Sequence, residues 1–210
     1  MAEIQYLGRS CVRVRGKEGI VIYDPQPRRT TNDKLSGHVV TLSSNDTSRV
    51  DAAGVKPLKD RVFVVNGPGE YEVSGIMIHG TRTYRDDQGK EGRNHNTVYV
   101  VHLDDLAFCH LGELGHDLTR TQIEDLGEVD VLFVPAYGSL PPAKLAELAA
   151  AIEPRAIIPL YDTAEQLDKL AHEFGLKEWS AQDKATVTSA SLPGDDDEPR
   201  IIVLQSAPAA

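Results

Sequence analysis

The feature that most constrains the fold is a change of hydrophobic period near residue 110. Before it the chain is a series of short apolar segments, at Ile4–Leu7, Cys11–Val14, Ile20–Tyr23, Val39–Leu42, Val62–Val65 and Ile76–Ile78, each bounded by Gly, Pro, Asn or Asp. Runs of this length between turn-forming residues read as strands, and the first half is expected to be a β-meander. Thr97–Leu103 and Leu106–His110 are two more strands, with Asp104-Asp105 between them as a tight hairpin turn.

After residue 110 strands alternate with helices. Thr119 followed by Gln122 forms a capping-box pattern, Ile123 and Leu126 supply an apolar face, and Gly127 ends that helix. Val129–Pro135 reads as a buried strand, Pro141-Pro142 opens a helix carrying Leu145, Leu148, Ala149 and Ile152, and Ala156–Ile158 is the next strand. A further helix places Leu167, Leu170, Ala171 and Phe174 on one face, and the tail reads as two strand-like pieces, Ala185–Leu192 and Arg200–Leu204, joined by the acidic run 193–199 as a solvated hairpin. Strands followed by alternating β and α units predict sheets packed between helices, and 210 residues form one domain, 1–210.

Composition narrows the function. The net charge of −10, with no Lys/Arg-rich block, disfavours nucleic acid, because the long-range field repels a phosphate backbone. No apolar run approaches the ~20 residues of a membrane span, and the N-terminus lacks the basic and apolar regions of a secretory signal, so no membrane partner is expected and the protein is placed in the cytoplasm. Cys11 and Cys109 are too far apart for any Cys-x-x-Cys motif and are expected to be buried thiols.

Five segments, "YLGRSCVRV", "IYDP", "NGPGEYEVSGI", "CHLGELGH" and "IIPLY", resemble in order and spacing the metallo-β-lactamase-fold hydrolases, specifically the branch related to L-ascorbate-6-phosphate lactonase, over roughly residues 3 to 175. The resemblance implies an α+β fold, a four-layer αββα sandwich with the active site where loops leave one edge of the strands. It also implies a His-x-His-x-Asp-His run whose side chains hold one or two zinc or manganese ions that activate water. Aligned by its flanks, that run falls on Ser44, Asp46, Ser48 and Arg49. The next histidine position falls on Arg85, the Gly-Asp carboxylate becomes Glu113, the last histidine becomes Tyr161, and the histidine that often follows the first glycine becomes Arg9.

The seven histidines, at 38, 79, 95, 102, 110, 116 and 172, form no His-x-His and no His-x-x-x-His. No metal cofactor is therefore expected. Asp46 and Glu113 are instead expected to face Arg49 and Arg85, so that the four charges cancel and keep the loop ordered.

Two functional readings follow. In the first the metal centre is degenerate and the protein is a non-catalytic module in which Arg49 and Arg85, with Arg9, bind a small anion, or the old cleft holds a protein partner. In the second it remains a hydrolase of a lactone or phosphoester, with one metal on Asp46, Glu113 and His116 or with none, and His116 serving as general acid or base beside Tyr161 or Ser44. The plainer role for His116 is to brace its loop, and for His110, on an apolar strand, to be a hydrogen-bonded core residue. Asp24 is expected to satisfy backbone donors in its turn. Oligomeric state is not legible, although members of this fold often self-associate.

Overall fold

The computed structural model describes residues 1–27, 35–86, 94–194 and 197–206. Two sheets face each other. The first runs in the order β14-β1-β2-β3-β5-β7, with β1 Ala2–Gly8, β2 Cys11–Arg15, β3 Ile20–Tyr23, β5 Val39–Thr41, β7 Phe63–Val65 and β14 Ala185–Val187. The second runs β15-β13-β12-β11-β10-β9-β8, with β8 Gly69–Val73, β9 Ile76–Tyr84, β10 His95–Leu103, β11 Leu106–His110, β12 Val131–Pro135, β13 Ala156–Leu160 and β15 Arg200–Ile201. A two-strand ribbon, β4 Ser36–Gly37 with β6 Lys56–Pro57, stands apart.

Alternation along each strand decides the layers. In β1 the residues Ala2, Ile4 and Tyr6 are fully buried while those between are half-exposed, so one face turns inward. Between the sheets these side chains meet Val21, Tyr23 and Val39 of the first sheet and Tyr99, Phe108, Phe133 and Ile158 of the second. The other face of the second sheet, with Val98, Val100, Cys109, Leu132 and Val134, is covered by the helices α1 Arg120–Leu126, α2 Pro142–Ile152 and α3 Ala164–Glu173, which contribute Leu126, Leu145, Leu148 and Leu170. Outside the first sheet Cys11, Ile22 and Val40 are covered by Leu35 and Val55, which flank the ribbon. The α+β sandwich implied by the resemblance is the architecture observed.

Local signals act as expected at several places. Thr119 and Gln122 close a reciprocal capping box on α1, and Pro142 opens α2. Asp104 and Asp105 both adopt positive φ, 53° and 59°, the geometry of a two-residue hairpin whose twist matches its strands. Both cysteines are buried thiols outside any disulfide.

Three expectations are corrected. The first half is not one continuous meander: β1 to β3 form one and β8 to β11 another, while between them β5 joins β3 and β7 joins β5 in parallel and so require returning connections. The segment 69–73, which was not among the strands read from the sequence, is an edge strand antiparallel to β9. The tail is not a hairpin: β14 pairs with β1 in the first sheet and β15 runs parallel to β13 in the second, so the acidic segment crosses between sheets, with Asp195 and Asp196 outside the described residues.

Candidate functional site

At the end of the sandwich where β3, β5, β9, β11 and β13 finish, their loops converge on Glu113. The loop Leu111–His116 reaches that point because its glycines have no side chains. Gly112 has φ +63°, and a Cβ on it would lie 2.3 Å from Asn96 Oδ1 and 2.6 Å from Ser43 Cβ; one on Gly115 would lie 2.0 Å from the carbonyl oxygen of Arg85. The close approach lets the Glu113 amide donate to Asn96 Oδ1 at 2.9 Å, while the Asn96 amide group donates to Thr83 Oγ1 and to the Leu111 carbonyl. Asn96 thereby orients the carboxylate.

Three guanidiniums meet this one carboxylate. Arg9 Nη2 donates to Glu113 Oε1 at 2.8 Å, Arg49 Nη1 donates to Oε2 at 2.5 Å, and Arg85 Nη1 stands 3.7 Å from Oε2. Glu113 and Arg85 are 12% and 13% exposed at their side chains, whereas Arg9 and Arg49 are 39% and 38% exposed and form the solvent side. Arg49 also reaches Asp46 Oδ2 at 3.5 Å, and Arg9 lies over the Tyr137 ring, 5.6 Å from its centroid. The Glu113 hydrogen bond holds the Arg9 guanidinium firmly protonated. The expected facing of Asp46 and Glu113 with Arg49 and Arg85 is present. Arg9 joins as a third guanidinium, so the cluster is larger than the four charges expected, and the Asp162 carboxylate also acts on Arg9.

The turn carrying Ser44, Asp46 and Ser48 is tied to itself. Asp46 accepts from the Ser48 hydroxyl at 2.6 Å and the Ser48 amide at 3.0 Å, bonds that hold its carboxyl below the ordinary carboxylate range, and its own amide donates to Ser44 Oγ at 3.2 Å. Tyr161 makes no side-chain hydrogen bond to the cluster among the described residues: its hydroxyl donates to the Leu204 carbonyl at 2.9 Å and its amide donates to Tyr6 Oη. His116 uses both ring nitrogens as well. Nε2 accepts from the Tyr84 amide at 3.1 Å, which leaves Nδ1 to carry the proton toward the Asp117 carbonyl at 2.8 Å. It braces its loop, and no hydrogen bond joins it to Ser44 or Tyr161 among the described residues.

Beneath the cluster lies a buried polar layer that the sequence did not single out as a unit. Asp24, at φ 44°, accepts from the Ser43 amide at 2.7 Å and the Ser43 hydroxyl at 2.5 Å, and the side chain of Ser10 also bonds to it. Burial pushes its carboxyl up to about 7 against those bonds, with the Glu113 charge acting in the same direction. His110 donates from Nε2 to the Ser10 carbonyl at 2.9 Å and accepts the Gly112 amide at Nδ1, so it is the hydrogen-bonded core residue expected, and burial lowers its pKa to about 4.

Among the described residues no group of three or more His, Cys, Asp or Glu side chains is arranged to hold a metal ion. The groups around Glu113 and Asp46 are guanidiniums, whose charge opposes a cation, so the residues here do not fit the metal centre that the fold implies.

The beta-lactamase superfamily domain model matches residues 3–161. No curated protein matches the sequence. Among solved structures, a putative zinc-dependent hydrolase of the metallo-beta-lactamase superfamily from Thermotoga maritima shares 26% identity over 97% of this chain and 98% of its own, with a TM-score of 0.73. A putative metal-dependent hydrolase from Parabacteroides distasonis shares 14% identity over 97% and 94%, with a TM-score of 0.68. An isothiocyanate hydrolase from Delia radicum gut bacteria shares 11% over 98% and 97%, with a TM-score of 0.62. The family match covers most of the chain, and the chain belongs to the beta-lactamase superfamily, with the metallo-β-lactamase fold.

Proposed function

We propose that this protein keeps the fold but not the metal chemistry of its superfamily, and that the Arg9–Arg49–Arg85 cluster binds a small anion. The observation that carries the reading is the convergence of three guanidiniums on Glu113. A dication about 4 Å from one guanidinium would be opposed by roughly 8 kcal/mol at an effective dielectric near 20. Glu113 and Asp46 offset part of the arginine charge, and an incoming anion at the solvent-facing Arg9 and Arg49 offsets more. Planar guanidiniums favour carboxylate or phosphate, which accept two parallel hydrogen bonds. In this reading the motifs shared with the lactonase branch are retained scaffold, and the protein acts in the cytoplasm as a binding module.

The identity with the Thermotoga protein supports a second reading, a hydrolase of a lactone or phosphoester with an atypical single-metal or metal-free site. Against it stands the engagement of both His116 nitrogens, which leaves the His116 ring no free lone pair for a metal or a proton relay. The deciding experiment is the metal content of protein purified without chelator and dialysed against zinc, manganese and iron, read by plasma mass spectrometry beside a phosphate titration by calorimetry. The expected result is a metal stoichiometry near zero with measurable phosphate binding. About one ion per chain would restore the hydrolase reading and remove the first.

A further inference from the structure

A second pocket, of about 110 Å³, opens where β5 and β7 end and β9 and β10 continue past them, lined by Asn45, Asn66, Arg82 and His95 beside Ser43, Gly67 and Thr97. Strand alternation sets Arg82 there. A Cβ on Gly80 would lie 2.9 Å from the Gly67 carbonyl oxygen and 3.1 Å from Thr97 Cγ2, so Gly80 faces this side of the sheet. Arg82, two residues on and paired with Thr97, projects from the same face. Its carbonyl is spent elsewhere, accepting from the Gln122 side-chain amide at 3.1 Å, so what Arg82 brings to the pocket is its side chain.

The acceptors of this wall are already used. The Ser43 carbonyl takes the Thr97 amide at 2.8 Å, the Gly67 carbonyl takes the Tyr71 and Tyr99 hydroxyls at 3.1 and 3.3 Å, and the Thr97 side chain bonds to Tyr99. What stays unspent is mostly donors. The Arg82 guanidinium, the His95 ring and the side-chain amides of Asn45 and Asn66 form no hydrogen bond or ion pair with other described residues. No Asp or Glu is among the lining residues, and the neighbouring Asp46 carboxylate is committed to Ser48 and Arg49. A guanidinium with no acid beside it, in a chain of net charge −10, is a local charge that an anion complements. We infer that this pocket binds a small oxyanion, a carboxylate or a sulfate- or phosphate-type group, held on the Arg82 fork with the Asn45 and Asn66 amides donating. A volume of about 110 Å³ equals roughly three to four waters at ~30 Å³ each, which admits one such group with little attached. The pocket shares Asn96 with the Glu113 cluster but none of its arginines, so it stands apart from anion binding there.

The test is a nuclear magnetic resonance titration of the intact protein with sodium acetate and with sodium sulfate, the ionic strength held constant with chloride. The side-chain amides of Asn45 and Asn66 report this pocket, and the backbone amide of Glu113 reports the arginine cluster separately. Saturable shifts at Asn45 and Asn66 are expected. Arg82→Gln is expected to weaken that binding at least ~10-fold through loss of the charge-assisted pair. Arg82→Lys, which keeps the charge without the fork, is expected to fall between the two. Acetate binding ahead of sulfate assigns a carboxylate and the reverse order a tetrahedral oxyanion, and either supports the pocket. Shifts reproduced by chloride alone, shifts that do not saturate with either anion, or wild-type affinity in Arg82→Gln overturn it. Saturable shifts confined to the Glu113 amide overturn this pocket while leaving the arginine-cluster reading intact.

Discussion

Asp24 and His110 stand at the ends of strands from different sheets and share Ser10, whose side chain bonds to Asp24 while its carbonyl accepts from His110 Nε2 at 2.9 Å. Their titrations oppose each other. Asp24 has a folded pKa of about 7 against an ordinary value of 3.8, so in that window the folded state holds a proton that the unfolded chain releases. Its contribution is present below the unfolded pKa and is lost as pH rises through 7, on the order of 4 kcal/mol in all. His110 has a folded pKa of about 4 against 6.5, so its contribution is present above 6.5 and is lost as pH falls toward 4, on the order of 3 kcal/mol.

Between pH 4 and 6.5 the two slopes cancel. Asp24→Asn keeps an acceptor for the Ser43 amide and removes one slope. Its stability relative to wild type is expected to rise by up to about 1.4 kcal/mol per pH unit from pH 4 to 7. Urea unfolding at pH 4.5, 5.5, 6.5 and 7.5 checks this, and a difference that does not change with pH would show that Asp24 titrates near its ordinary value in the folded state.

Glu113 is the charge that makes three clustered guanidiniums tolerable. Glu113→Ala removes the carboxylate that all three guanidiniums share. Breaking a buried pair costs about 3–5 kcal/mol, and solvent screening at Arg9 and Arg49 brings the expected loss nearer 2–3 kcal/mol. The added anion then has more to offset, so sulfate or phosphate at 50 mM, a concentration set for the experiment, is expected to raise the midpoint of the variant more than that of wild type. Thermal melts in sulfate against chloride at matched ionic strength read this directly; equal shifts in the two proteins would mean that the cluster does not sense anions.

His116→Ala tests bracing against catalysis through stability alone. The Tyr84 amide loses its acceptor, and an unsatisfied, half-buried donor costs about 1–3 kcal/mol. A loss in that range by urea denaturation is the expected outcome. No loss at all would indicate that the Tyr84 and Asp117 contacts do not hold the loop and would free the ring for other roles.

How much of this was legible in the sequence follows from how local each signal was. The α1 box Thr119–Gln122, the Asp104-Asp105 turn and the Leu145, Leu148, Ile152 stripe depend on neighbours within a few residues, and each stands as read. The absence of paired histidines needed no alignment, whereas Arg49, Arg85 and Glu113 were placed by aligning the family motif on its flanks, and the structure brings these three together. Tyr161 was beyond reach, because its hydroxyl is taken by Leu204, a tail residue that returns to the second sheet only through tertiary packing. Asn96 was invisible for the same reason: its carbonyl supports Glu113 across 17 positions. The strand 69–73 was hidden by Gly and Pro, which an edge position tolerates because one side of the strand needs no partner.

The glycines of the "LGELGH" loop place Glu113, and this gives the most direct test of the site's construction. Gly115→Ala puts a Cβ 2.0 Å from the Arg85 carbonyl oxygen, which is backbone and cannot rotate away, so the Arg85 segment must move. Gly67 has nothing within 4 Å and no positive φ, so Gly67→Ala is a matched control within about 0.5 kcal/mol of wild type. The Gly115 variant is expected to lose about 2–4 kcal/mol through overpacking and strain. Because Ser139 holds the same carbonyl at 2.8 Å, the displacement also separates Arg85 from the α2 approach, and phosphate affinity is expected to fall with stability. A folded Gly115→Ala protein that binds phosphate as wild type does would show that the position of Arg85 is not what determines anion binding.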